Sequence, residues 1–257
     1  MIAGGRRVAV RNLCKSFGAV KAVDGLDLTI EAGEIVGLIG PNGSGKSTAF
    51  DCMTGVTMPD RGAIRVGDID VTGWPVDRIA RQVRMIRSFQ RNVVFPSFSV
   101  RESMTLAGLV PAFPGRFAPF AGGAAPRRRL ASIETRADAL IEELGLEAVA
   151  QAGAAEISVG QQKLLQFACA LMTEPGIMLL DEPLAGVNPV LIDRIVAAIK
   201  SVHARVGMTV VVIEHNVAAI ADLSRRLVVL GAGRKIADGP TEAVLKDPVV
   251  VEAYLGG

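Results

Sequence analysis

The stretch Gly40-Pro41-Asn42-Gly43-Ser44-Gly45-Lys46-Ser47-Thr48 fits the pattern G-x-x-x-x-G-K-[ST] and follows the apolar run Ile35-Val36-Gly37-Leu38-Ile39. A buried strand, a glycine-rich turn and then a helix is the order that a phosphate-binding loop requires. Glycines at 40, 43 and 45 let the backbone curl around an oxyanion so that successive N–H groups point inward, and the following helix adds its positive end. A triphosphate is the occupant this predicts. Lys46 would set its ammonium against the β and γ phosphates, and the Ser47 hydroxyl would take one coordination position on Mg²⁺. A glycine-rich turn with a chance lysine would not need the strand in front of it.

The chain has 257 residues, enough for one nucleotide fold carrying an insertion. Half of the residues are hydrophobic and mean hydropathy is +0.38, so a membrane span must be tested first. The least charged stretch, Met104 to Pro126, fails that test: Pro111, Pro114, Pro119 and Pro126 would break the backbone ladder that lipid demands, and Arg116 sits near the middle. Residues 1–10 have no apolar core of signal-peptide length, so the sequence reads as cytosolic, with any membrane association made through a partner. A net charge of +2 gives no electrostatic case for nucleic acid, and Arg127-Arg128-Arg129 reads as a solvated helix start. Cys14, Cys52 and Cys169 are odd in number and lack C-x-x-C spacing, which suits a reducing compartment and three small buried apolar residues.

Alternation over residues 8–32 predicts short strands joined at Phe17-Gly18, forming an antiparallel sheet beside the main one. A helix is expected from the phosphate loop towards Gly55, a turn at Pro59–Gly62, a strand over 63–66 and a helix over 77–87. Ser99-Val100-Arg101-Glu102 is a capping box opening a helix to about Ala107. Leu130, Ile133, Ala137, Leu140, Ile141 and Leu144 make one apolar helical face ending at Gly145, and Ser158 to Gln161 is a second capping box, for a helix through Met172. Residues 99–174 therefore read as a helical insertion in a single 1–257 domain. The α/β pattern resumes with strands at 177–180, 209–213 and 227–230 and helices near 190–204, 217–224 and within 241–255. Continuous apolar strands of this kind belong in a parallel sheet, so the fold expected is an α/β phosphate-loop NTPase core with a mainly parallel sheet, an N-terminal antiparallel β subdomain and an inserted α-helical one.

Asp181 and Glu182 directly follow the buried run Ile177-Met178-Leu179-Leu180, at the strand end where open α/β sheets place their ligands. Asp181 would hold Mg²⁺ through its water shell, and Glu182 would polarise the water that attacks the γ phosphate. His215 follows the strand 209–213 at the same edge and would reach the γ phosphate as a donor, whereas His203 lies inside a helix with no assigned role.

With these motifs in order, the whole chain resembles the ATP-binding subunits of ABC transporters. Ile157-Ser158-Val159-Gly160-Gln161 looks like that family's signature, leucine-serine-glycine-glycine-glutamine, departing at Ile157 and Val159 but keeping Ser158, Gly160 and Gln161. The resemblance implies that Gln90 contacts Mg²⁺ and couples to the membrane subunit, that Phe17 stacks on adenine, and that Ala185-Gly186-Val187-Asn188 crosses between subunits, with Asn188 where many relatives carry aspartate. It further implies ATP and Mg²⁺ as cofactors, Glu182 and His215 as catalytic residues, and a second cassette, a copy or a related chain, whose Ser158 motif completes the ATP site.

Gly160-Gln161-Gln162-Lys163, Ala185 to Pro189, the apolar loop 108–126 and the ending Ala253-Tyr254-Leu255-Gly256 are most similar to the branched-chain amino acid importer type. That resemblance implies integral membrane permeases as partners, docked near Gln90 and the loop 108–126. Indirectly it implies a periplasmic or extracellular solute-binding protein, and a place on the inner face of the cell membrane. Importers for urea or other amides share much of the pattern. A cassette of DNA maintenance would carry long coiled coils, yet residues 46–181 show no sustained heptads. A translation factor would hold two cassettes, and a small-molecule kinase would not need the signature.

Overall fold

The computed structural model describes residues 4–88, 95–112 and 124–255. Apolar alternation pairs β1 (Val8–Phe17) with β2 (Val20–Ile30), in a register running from Val8 opposite Ile30 to Phe17 opposite Val20, with bulges between. The chain then crosses into a second sheet with β3 (Ile35–Ile39), enters α1 (Lys46–Met53), and returns with β4 (Arg61–Val66) and β5 (Ile69–Asp70). The first sheet has the order β2-β1-β4-β5 and is antiparallel throughout.

The following elements are α2 (Val76–Gln82), β6 (Met85–Arg87), α3 (Val100–Ala112), α4 (Ala124–Glu143), α5 (Val159–Met172), β7 (Ile177–Asp181), α6 (Pro189–Val206), β8 (Thr209–Ile213), α7 (Val217–Leu223), β9 (Arg226–Gly231), β10 (Arg234–Pro240), α8 (Thr241–Val244) and α9 (Pro248–Leu255). The second sheet runs β10-β9-β3-β8-β7-β6, parallel except for the β10 edge. The continuous apolar runs of β3, β7, β8 and β9 are almost wholly buried, as strands covered on both faces must be.

The chain divides into two units. One comprises Met1–Arg87, Pro175–Pro183 and Ile199–Gly257 and holds both sheets. Its core joins Val10, Leu13 and Leu28 of the antiparallel sheet, Phe50 and Met53 of α1, and Leu38, Leu179 and Val211 of the parallel sheet. A smaller cluster of Ile39, Ile220, Val229, Val244 and Val250 packs α7, α8 and α9 against it. The other unit comprises Ser88–Glu174 and Leu184–Ala198. There α4 buries Ile133, Ala137, Leu140 and Ile141 of the expected face while Leu130, nearer the helix start, stays exposed, and Arg101 of α3 binds Asp138 of α4 through two nitrogens at 2.6 and 2.9 Å. This unit takes in 184–198 as well as the expected helical stretch 99–174.

Several local expectations are corrected. The helix expected over 77–87 stops at Gln82, because Arg84 takes φ 54 and its carbonyl accepts the amides of Gly176 and Ile177, drawing 85–87 into the sheet beside β7. The helix after Ser99 runs on to Ala112, with Pro111 inside its last turn, where it removes one amide donor but the helix has little further to run. The tail forms two short helices, and β10, an edge strand with no fully buried residue, has too little apolar pattern to be read from sequence. Cys14 and Cys169 are only partly buried; Cys14 Sγ accepts the Gly25 amide at 3.3 Å. Arg127 to Arg129 are exposed at the start of α4. No helix among the described residues is long and apolar enough to cross a membrane.

Gly37 in β3 lies beneath α7, where an added Cβ would stand 2.8 Å from Ile220 and closer still to Leu227. Gly37→Val should therefore lower stability by about 1–3 kcal/mol through overpacking. Thermal unfolding reads this directly as a drop of several degrees in Tm; an unchanged Tm would show that β3 and α7 are not packed in this way.

Candidate functional site

Between β3 and α1 the loop carries three glycines with positive φ, Gly40, Gly43 and Gly45. Gly40 (φ 151) lies against the carbonyl of Leu230 and Gly45 (φ 98) against that of Ala22, so side chains at either position would collide with backbone. Gly45 is also the residue before α1, and no side chain caps that helix. Its first amides are left for another acceptor. Ser44 and Lys46 are buried, Ser47 is exposed and Thr48 half-buried. Lys46 Nζ donates to the carbonyls of Gly40 at 2.7 Å and Pro41 at 2.9 Å, and lies 3.4 Å from Ser44 Oγ, so the ammonium sits inside the curl. Burial pushes the Lys46 pKa down, against the attraction of Glu182 and Asp181, which raises it. Both carboxylates lie close enough to be felt at this charge.

Asp181 ends β7 at 2% exposure, with Oδ2 bound by Arg87 Nη2 at 2.6 Å. The next residue, Glu182, leaves the strand at φ 50, and its amide donates to the Ile213 carbonyl at 2.9 Å. A left-handed glutamate is strained by roughly 1–3 kcal/mol and persists only where its surroundings hold it. From that backbone its carboxylate reaches the histidine: Glu182 Oε1 is 3.2 Å from His215 Nε2. Towards an ionised carboxylate the imidazole acts as donor, which assigns the proton to Nε2. The two sequence-assigned catalytic residues thus meet. Glu214, which the sequence reading passed over, accepts the amides of His215 at 2.9 Å and Asn216 at 3.3 Å through Oε2 and shapes the turn that presents the histidine. A carboxylate directly after a buried strand was the available signal.

Arg87 and Asp51 were missed as well. Arg87 bridges the Asp51 carboxylate on α1 and Asp181, a link hidden from sequence because 85–87 read as helix. Phe17, at the end of β1, is 53% exposed with the Lys15 ammonium 5.5 Å from its ring centre, leaving a ring face open for stacking. Gln90 lies outside the described residues, as does most of the loop 108–126. Ser47 and Asp181 offer hard oxygen donors of the kind Mg²⁺ takes. Among the described residues no group of three or more His, Cys, Asp or Glu could hold a metal ion.

In the other unit, Ser158 caps α5 in a complete capping box: its hydroxyl accepts the Gln161 amide at 3.4 Å, and the Gln161 side chain accepts the Ser158 amide at 3.0 Å. Gly160 is buried against α6, where a Cβ would stand 2.6 Å from Leu191. Asn188 Oδ1 accepts the Val190 amide at 3.0 Å, so it starts α6 as aspartate would. These residues have local structural tasks in addition to the roles the resemblance implies.

Residues 23–185 match the family model described as ABC transporter, and residues 234–257 match one described as branched-chain amino acid ATP-binding cassette transporter. The chain is 35% identical to the high-affinity branched-chain amino acid transport ATP-binding protein BraF of Pseudomonas aeruginosa, over 96% of each. It is 34% identical to LivG, of the same description, from Salmonella typhimurium, over 97% of each. It is 32% identical over 97% of each to the lipopolysaccharide export system ATP-binding protein LptB of Haemophilus influenzae. Among solved structures, an ATP-binding cassette of an ABC transporter in its ADP conformation superposes with a TM-score of 0.83 at 30% identity, covering 98% of this chain and 99% of that one.

Proposed function

This chain belongs to the ABC transporter family of nucleotide-binding ATPases, and on that premise we propose that it energises an importer of branched-chain amino acids. The observation that carries the solute class is the match of the last 24 residues, 234–257, to the branched-chain type, beyond the cassette common to all such ATPases. The likeness to a lipopolysaccharide export system ATP-binding protein covers 97% of this chain, so overall likeness does not by itself select the solute.

In this reading the Gly40–Thr48 loop holds the phosphates of ATP around Lys46, and Phe17 stacks on adenine. Ser47 and Asp181, with Gln90, hold Mg²⁺, which when bound neutralises charge on the phosphate oxygens. Glu182 takes the proton of the attacking water, and His215, which donates to it, holds its carboxylate in place and reaches the γ phosphate. The single domain carries 99–174 as its helical insertion. A second cassette supplies Ser158, Gly160 and Gln161 to the same ATP. The assembly lies peripherally on the inner membrane face, bound to permeases that receive solute from a binding protein.

The test is uptake into proteoliposomes that hold this chain with its copurified permeases and binding protein. ATP-dependent accumulation of labelled leucine is expected, abolished by omitting ATP. Uptake of urea without leucine would overturn the solute class.

A further inference from the structure

The Arg87 guanidinium joins two carboxylates from different elements: Nη1 holds Asp51 Oδ1 on α1, and Nη2 holds Asp181 Oδ2 at the end of β7, at 2.6 Å. Arg87 is 14% exposed along its side chain and Asp181 2%, and the cation lies 5.7 Å from the Phe50 ring centre. An ion pair this deep adds little net stability, because desolvation offsets attraction. Its effect is geometric. α1 begins with Lys46 and Ser47, so Arg87 ties the helix bearing the metal-facing hydroxyl to the metal-facing carboxylate. The last torsion of aspartate is broad, and the bond to Oδ2 restricts the carboxylate plane and thereby the direction of the other oxygen. A lone arginine would also cancel the charge a cation needs. Here Asp51 offsets the guanidinium, so Asp181 is oriented without being neutralised.

We propose that Arg87 is a positioning residue for the nucleotide-bound metal, holding Asp181 in register with Ser47, while Asp51 screens the charge of Arg87. The inference rests on the reading of Asp181 as a Mg²⁺ holder. Partners of metal-facing groups typically contribute about 10–100-fold in metal affinity, and that is the size expected here.

The experiment measures the Kd of a fluorescent ATP analogue for the full chain in EDTA and across a Mg²⁺ titration. In Arg87→Met the tightening by Mg²⁺ should fall by roughly tenfold or more, with the EDTA value within about twofold of wild type. Asp51→Asn should keep the orientation but leave the arginine charge unscreened. Its half-saturating Mg²⁺ concentration rises severalfold, and ATP hydrolysis recovers at saturating Mg²⁺, a separation that simple loosening of the fold would not produce. Should Arg87→Met not fold, Arg87→Lys, which keeps charge but loses the two-armed grip, is read in the same assay with the same expectation. If Asp181→Asn loses the Mg²⁺ response while the Arg87 variant keeps it, Arg87 does not position the metal. If Asp181→Asn itself keeps the response, the metal reading of Asp181 falls and this inference with it.

Discussion

Glu182→Gln is expected to bind Mg·ATP as wild type does, to hydrolyse it more slowly by about 10²–10⁴ or more, and to accumulate as an ATP-dependent dimer. The replacement is nearly isosteric. The left-handed backbone, held by the bond to the Ile213 carbonyl, need not move, and an amide oxygen accepts from His215 Nε2 as the carboxylate oxygen does at 3.2 Å. What disappears is the charge proposed to polarise the attacking water. Lys46, Ser47 and Asp181 remain to hold nucleotide, so binding and chemistry should separate. In the proposed shared site, unhydrolysed ATP would be held by Lys46 of one chain and Ser158 of another and would link the two by mass action. Phosphate release alongside light scattering, with and without Mg·ATP, gives both readings. Near-normal turnover would remove Glu182 from the mechanism, whereas lost turnover with a strictly monomeric protein would keep the base and count against the shared site.

Lys46→Ala should lose ATP affinity more than Lys46→Arg, with hydrolysis lost in both. The ammonium is buried and donates to two carbonyls of its own loop, at 2.7 and 2.9 Å. Truncation removes the attraction for phosphate and leaves the Gly40 and Pro41 carbonyls without that donor. Losing a buried charge partner typically costs about 2–5 kcal/mol, a fall in affinity of roughly 30-fold or more. Arginine keeps the charge, but its planar fork cannot occupy the point that the ammonium does inside the curl. Calorimetric titration with ATP decides the order. Full affinity in the alanine variant would mean that this loop is not a phosphate site.

How much of the molecule could be read in advance depended on whether the signal was local. The strand, glycine turn and helix of the 35–53 stretch, both capping boxes and the strands expected at 177–180 and 209–213 follow from residues within a few positions of one another, and the structure forms them there, the 177–180 strand extending one residue further to Asp181. The strand 85–87 did not follow, because three residues of ambiguous pattern become a strand only when β7 lies alongside them. β10 is a similar case, an edge strand that exists by pairing with β9.

Short-range chemistry is enough for the glycine-rich turn, the acidic pair after a buried strand and the capped helix at Ser158: glycine conformational freedom, strand hydrophobicity and side-chain capping specify each. The tertiary structure alone decided that His215 faces Glu182, although 33 positions separate them, and that Arg87 joins Asp51, 36 positions before it, to Asp181, 94 positions after. Such meetings depend on strand order. Placing β3 beside β8, β8 beside β7 and β7 beside β6 delivers distant carboxyl ends to one edge, and that order is set by packing of whole faces, which no short stretch of sequence encodes.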